Sequence, residues 1–144
     1  MKSSSVRLGV ILFIIGLIIF SNIEIWGADW KLFRNTEETI EFYDTQSVSF
    51  SSENILKVHV KFEFTDKGLF DMVKKFGKSF EHLNHQISIE EINCADKTFR
   101  LLSVAYYSRR GRVLLATINK PEKTSWRSLR INSHTEALSK ELCK

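Results

Sequence analysis

The stretch Leu56-Lys57-Val58-His59-Val60-Lys61-Phe62-Glu63-Phe64 decides the fold class. Leu56, Val58, Val60, Phe62 and Phe64 fall at every second position, with Lys57, His59, Lys61 and Glu63 between them. Successive side chains of a strand point to opposite faces, so this alternation predicts a half-buried antiparallel strand with one wet face. Upstream, Trp30-Lys31-Leu32-Phe33 and Thr39-Ile40-Glu41-Phe42-Tyr43 read as two short strands joined by the turn-like Asn35-Thr36-Glu37-Glu38. Downstream the period changes. Asp66 can cap a helix, and Leu69, Val73, Phe76 and Phe80 follow at spacings that put them on one stripe, which predicts an amphipathic helix of about 15 residues. Lys67, Lys74, Lys75 and Lys78 take its other faces. Gly68 and Gly77 each cost such a helix up to about 1 kcal/mol, so it depends on docking to the sheet.

Beyond the helix, His85 to Cys94 reads as a strand whose apolar side changes near Glu90-Glu91, which predicts a bulge or bend. Thr98–Tyr107 and Arg112–Ile118 predict a hairpin turning at Ser108-Arg109-Arg110-Gly111, where Gly111 can supply a positive φ. Both faces of these two strands are apolar, the pattern of central strands covered on both sides. Lys120 to Ser125 holds the single proline and reads as a loop, and Trp126 to Ile131 as a short edge strand. Ser133-His134-Thr135-Glu136 fits a capping box that opens a final helix with Ala137, Leu138 and Leu142 inward. The expected fold is α+β: an antiparallel sheet of about six strands, one inserted helix and a disulfide-stapled carboxyl-terminal helix.

The amino-terminal piece reads differently. Residues 1–28 carry only three charges, Lys2, Arg7 and Glu24, and Leu8 to Phe20 is an apolar run. That run is shorter than the roughly 20 residues a spanning helix needs. A charged start, a short apolar stretch and a polar exit describe a secretory signal peptide, with an uncleaved anchor as the alternative. The expected organisation is a signal over 1–28 and one domain over 29–144. Cys94 and Cys143 are the two cysteines of the 144-residue chain. In an oxidising compartment an even pair is expected to bridge. The bridge would pin the carboxyl terminus to a strand and close a loop of about 50 residues, worth roughly 4 kcal/mol.

Catalytic patterns are scarce. There is no nucleophile elbow, HExxH, P-loop or GxGxxG. Glu90 and Glu91 would sit on opposite faces of a strand and so cannot act as a paired acid and base. His82 and His85, with Glu81 beside them, could share a metal geometrically, but no third ligand is evident. The sequence therefore points away from an enzyme, and neither a cofactor nor a small-molecule substrate is expected.

Charge narrows the partner. Setting aside residues 1–28 leaves 19 basic against 16 acidic side chains, too mild an excess for nucleic acid. Local clusters stand out: Lys57 and Lys61 on the wet strand face, Arg109, Arg110 and Arg112 in the hairpin turn, and the lysines of the first helix. Long cations also solubilise exposed faces, yet three charges in four residues repel unless something compensates them. Lys57, Lys61, Arg109, Arg110 and Arg112 are therefore the candidate partner-binding residues, and the partner is expected to be a protein.

Several pieces, taken in order, resemble the surface-adhesin protein E family of bacterial envelope proteins. They are Trp30-Lys31-Leu32-Phe33, the tyrosine-aspartate element Phe42-Tyr43-Asp44-Thr45-Gln46-Ser47-Val48, Val58-His59-Val60-Lys61 and Glu91-Ile92-Asn93-Cys94, then Trp126, Ile131, Ser133 and Leu138 leading to Cys143. The resemblance spans about residues 30–143. It implies a small antiparallel sheet with a disulfide-held terminal helix, and an exported adhesin that binds host matrix and serum proteins. The apolar run is not followed by a lipid-anchor cysteine. Periplasmic and secreted or cell-surface locations both stay open, as does an envelope assembly or stress factor with no host-binding role.

Overall fold

The computed structural model describes residues 27–144; the expected signal segment lies almost wholly outside them. The chain runs β1 (Trp30–Asn35), β2 (Thr39–Asp44), β3 (Ser49–Ser52), β4 (Ile55–Phe64), α1 (Asp66–Phe76), a 3-10 turn (Lys78–Phe80), β5 (Leu83–Asn93), β6 (Thr98–Ser108), β7 (Val113–Ile118), a second 3-10 turn (Pro121–Lys123), β8 (Arg127–Ser128) and α2 (His134–Leu142). All pairings are antiparallel. The sheet path is β1-β2-β4-β5-β6-β7, with β3 added on β4 and β8 on β6. Six of the strands read from the sequence form the path, and two short ribbons, β3 and β8, are attached to it.

The alternation in β4 is realised as read. Leu56, Val58, Val60 and Phe62 are buried, while Lys57, His59, Lys61 and Glu63 are half-buried on the other face. Tyr43 of β2, Ile92 of β5 and Leu138 of α2 complete that core. Each such side chain taken from water contributes about 1.5–3 kcal/mol. The rings of Phe76, Phe80 and Tyr106 pack together. Tyr106 stands in register with Gln86, and Gln86 with Phe62, so α1 and α2 lie over the same sheet face.

The first helix is shorter than its stripe suggests. It ends at Phe76, and Phe80 reaches the core from the separate 3-10 turn, 4.9 Å from Phe76 ring to ring. Thr65, not Asp66, is the cap: its hydroxyl accepts from Gly68 N–H at 3.2 Å. The Thr65 N–H donates to the Glu38 carbonyl at 3.0 Å, tying the helix start to the β1–β2 turn. That proximity explains Gly68, since a Cβ there would stand 2.0 Å from the Glu38 carbonyl oxygen. Gly68→Ala should therefore destabilise the domain by about 1–3 kcal/mol despite alanine's better helix propensity. A urea titration checks this, and a midpoint equal to or above wild type would contradict the close approach.

Three further expectations are corrected or refined. The irregularity expected near Glu90-Glu91 lies between Ile89 and Glu90, but the extra residue is Leu102 on the partner strand β6. Strand β7 is not central and covered: it ends the sheet, and all of its residues except Leu114 are exposed. An apolar run reports what a strand is made of, and coverage depends on which elements happen to lie beside it. The strand expected over Trp126–Ile131 shrinks to Arg127–Ser128, with Ile131 exposed. At the last helix Ser133 caps as expected, accepting from Glu136 N–H, while the Glu136 carboxylate reaches back to Asn132 N–H. The inward side is Thr135, Leu138 and Ser139, with Leu142 packed on the core; Ala137 is only half-buried. Cys94 and Cys143 are bridged, joining the end of β5 to the end of α2.

Candidate functional site

The turn between β6 and β7 is held from three directions. Ser108 N–H donates to the Arg112 carbonyl at 2.8 Å and Gly111 N–H to the Ser108 carbonyl at 2.9 Å. The buried Ser108 hydroxyl accepts from Arg112 N–H at 3.1 Å. Arg109 N–H donates to the His82 carbonyl at 3.0 Å, which fastens the tip to the β5 side. Gly111 takes φ +74°, the left-handed region that glycine reaches without a Cβ clash. These contacts display Arg109, Arg110 and Arg112 around one cavity of about 230 Å³, lined also by His82 and Ser108. All three arginines are exposed. Among the described residues no carboxylate lies within ion-pair distance of any of them.

The other two candidate cations lie apart from this tip. Register carries Tyr107 to His85 and His85 to Glu63, so the tip belongs to the Phe64 end of β4. Lys57 is six residues away along that strand, about 20 Å at the rise of a strand. Lys61 is engaged within the fold: its side chain pairs with Glu63 at 2.8 Å and lies over the rings of Phe42 and Trp30, at 4.5 and 5.1 Å from their centroids. The structure thus brings the three arginines together and separates them from the two lysines. His85 stacks on Tyr107 with ring centroids 5.0 Å apart. Burial, then the charge of Lys61, holds its pKa below the usual histidine value. Among the described residues, no three His, Cys, Asp or Glu side chains are grouped to hold a metal.

Two clusters escaped the sequence reading. Lys120, Lys123 and Arg127 line a cavity of about 420 Å³ with Ile118 at the far end of β7, and none has an ion-pair partner among the described residues. The basic residues of the 120–127 loop were the available signal, diluted by Glu122. The second cluster lies under α2. There His134 Nε2 stands 3.1 Å from both carboxylate oxygens of the buried Glu90, and Glu90 also accepts from Ser88 Oγ at 2.8 Å. Glu41, equally buried, accepts from Arg34 and from the Thr39 hydroxyl at 2.8 Å each, and its second oxygen has no partner. Burial pulls the His134 pKa down, but the charge and hydrogen bond of Glu90, with Glu41 beyond, outweigh this and the repulsion of Arg34, so it is raised. Positions 34, 41, 90 and 134 have no local pattern that could have announced this network.

The tyrosine-aspartate element has a clear structural task. Tyr43 is a core residue, and the buried Asp44 carboxylate accepts from Asp29 N–H at 2.9 Å and Gln46 N–H at 3.1 Å. Trp126 carries the Arg100 guanidinium over its ring at 4.5 Å, and Arg100 pairs with the buried Glu91 at 2.6 Å.

The fold is thus a one-sided antiparallel sheet with a terminal helix clamped to it by a disulfide, and its β6–β7 tip carries three arginines without an ion-pair partner among the described residues. Residues 30–144 match the surface-adhesin protein E family, and the chain belongs to it. Among solved structures it is similar to crystal form II of Haemophilus influenzae protein E, at 19% identity and TM-score 0.52, covering 79% of this chain and 86% of that one. A second protein E structure, from non-typeable Haemophilus influenzae, has 14% identity and TM-score 0.48 over 84% of this chain and 78% of that one. At 19% identity the first of these likenesses is one of fold. Comparison with curated proteins finds no match.

Proposed function

We propose that this protein is an exported, non-enzymatic surface adhesin that captures a partner protein through an acidic segment docking on Arg109, Arg110 and Arg112. The observation that carries this reading is the cavity ringed by three exposed guanidiniums that have no carboxylate partner among the described residues. Guanidinium forks match carboxylates in geometry, and a tip with unanswered charge steers an acidic partner toward it. Family membership supports the surface location, and the apolar run over Leu8–Phe20 supports export. Lys57 is a secondary contact at most, because it stands about 20 Å along the sheet, and Lys61 already serves Glu63 and two aromatic rings.

Replacing the three arginines together by glutamine should weaken capture of protein from envelope or serum fractions about tenfold, the sum expected of three exposed charge pairs. Raising the salt should weaken wild-type capture in the same direction. Unchanged capture by a variant with wild-type circular dichroism would overturn the assignment. Protease added to whole cells should cleave the protein; protection would place it in the periplasm and remove the adhesin role.

A further inference from the structure

Strand β7 leaves one side of its backbone unpaired at the end of the sheet. Its sequence, Val113-Leu114-Leu115-Ala116-Thr117-Ile118, contains no charge and no proline, and Val113, Leu115 and Ile118 are exposed. Natural edge strands are usually blunted by charges, proline, bulges or a covering element. The opposite edge follows that rule. Strand β1 carries Lys31 and Arg34, its register slips at Phe33, and α2 leans on it through the Lys31–Glu141 pair at 2.6 Å. Among the described residues β7 shares one of these devices, a register slip at Leu114, but it has no charge and no proline, and both of its ends are cationic. Arg109, Arg110 and Arg112 ring the cavity at one end; Lys120, Lys123 and Arg127 line the cavity at the other.

We infer that β7 is a docking edge for an extended peptide segment of the partner protein, which adds to the sheet as a further strand and carries acidic residues at both of its ends. This rests on the protein-binding reading above and names the form its partner takes. Backbone pairing along Leu115–Ile118, beyond the slip at Leu114, supplies sequence-tolerant affinity, and side chains of the incoming strand lie beside Leu115 on one face and Ile118 on the other. Charge decides the occupant. A second copy paired antiparallel would set Arg112 against the Lys120 end of its twin, and a parallel copy would set arginine against arginine. Either arrangement brings like charges together. An acidic-ended strand meets opposite charge at both ends. Six residues at about 3.4 Å each span roughly 20 Å, so a peptide of about ten residues reaches both clusters.

The test uses a synthetic ten-residue peptide with an alternating valine-threonine centre and two acidic residues at each end, titrated against the purified protein. Two partner peptides share the centre: one has lysine ends, and one keeps the acidic ends but is N-methylated at alternate amides on one edge. The acidic peptide should bind and slow amide hydrogen exchange over Val113–Ile118, and each altered peptide should bind at least tenfold more weakly. Equal binding of the N-methylated peptide would show charge docking alone and overturn strand addition while leaving the arginine site standing. No binding of the acidic peptide, with protein capture still lost in the arginine variant, would likewise overturn this inference and spare the former. Loss of neither peptide binding nor capture in the arginine variant would overturn both. A stable dimer by sedimentation, with β7 protected from exchange in the absence of peptide, would assign the edge to a second copy and refute the choice of occupant.

Discussion

Replacing His134 by alanine should lower the stability of the domain by about 3–5 kcal/mol, the cost of leaving a buried carboxylate without its counter-charge. The side chains of Glu90 and Glu41 are each only 3% exposed, and together they are answered by one imidazole and one guanidinium, those of His134 and Arg34. Among the described residues, removing the imidazole strips Glu90 of its one cationic contact and leaves Ser88 as its partner. The effect carries a pH signature. The folded-state pKa of His134 is raised above its unfolded value, so the folded protein binds that proton more tightly. Its contribution is fully present below about pH 6.5 and is lost as pH rises through the folded pKa. His85 is shifted the other way and disfavours acidification in the same window, so wild type alone reports a mixture. The readout is therefore the difference between wild type and the His134→Ala variant in urea midpoint, which should be largest near pH 6 and shrink toward pH 8.5. A constant difference, or one below 1 kcal/mol at pH 6, would refute the ionic role. Adding Glu90→Gln to the alanine variant should recover part of the loss, because the orphaned charge is gone.

Breaking the Cys94–Cys143 bridge by double serine substitution should cost about 4 kcal/mol, given a sequence separation of 49 and the chain-entropy relation. Small domains have only about 5–15 kcal/mol in total, so the reduced form should be marginal at 37 °C. The bridge joins α2 to the end of β5 just where Leu138 and Leu142 rest on the core with Leu56 and Ile92. His134 holds the opposite end of the same helix. The two losses should therefore be less than additive, since once α2 leaves the sheet the second anchor has nothing left to hold. Denaturant midpoints of the single and combined variants measure this, and strict additivity would mean that the two ends of α2 are independent. Thiol titration of the denatured, unreduced protein should find almost none, because both cysteines are paired.

Much of this architecture was readable wherever a local rule carries physical force. The alternation in β4, the glycine at φ +74° in the β6–β7 turn, the Ser133 cap and the irregularity beside Glu90 each follow from steric or hydrogen-bond demands within a few residues. Reading faltered where neighbours decide. Ser49–Ser52 forms a strand only because β4 offers it an edge, and nothing in Ser-Phe-Ser-Ser announces that. Gly68 read as a helix defect until the Glu38 carbonyl was seen against it. Lys61 read as one of five candidate partner-binding cations, yet it is spent on Glu63, Phe42 and Trp30.

The amino-acid sequence by itself determined the fold class, the order of its principal elements, the cysteine pair and the arginine tip, because periodicity, turn chemistry and contiguous charge are properties of short segments. Tertiary structure alone decided which apolar strand is covered and which is left as an edge. It also decided that six cations collect at the two ends of that edge, and that two buried glutamates meet His134 and Arg34 beneath α2. Those arrangements join residues up to about a hundred positions apart, and only the folded sheet brings them within reach of one another.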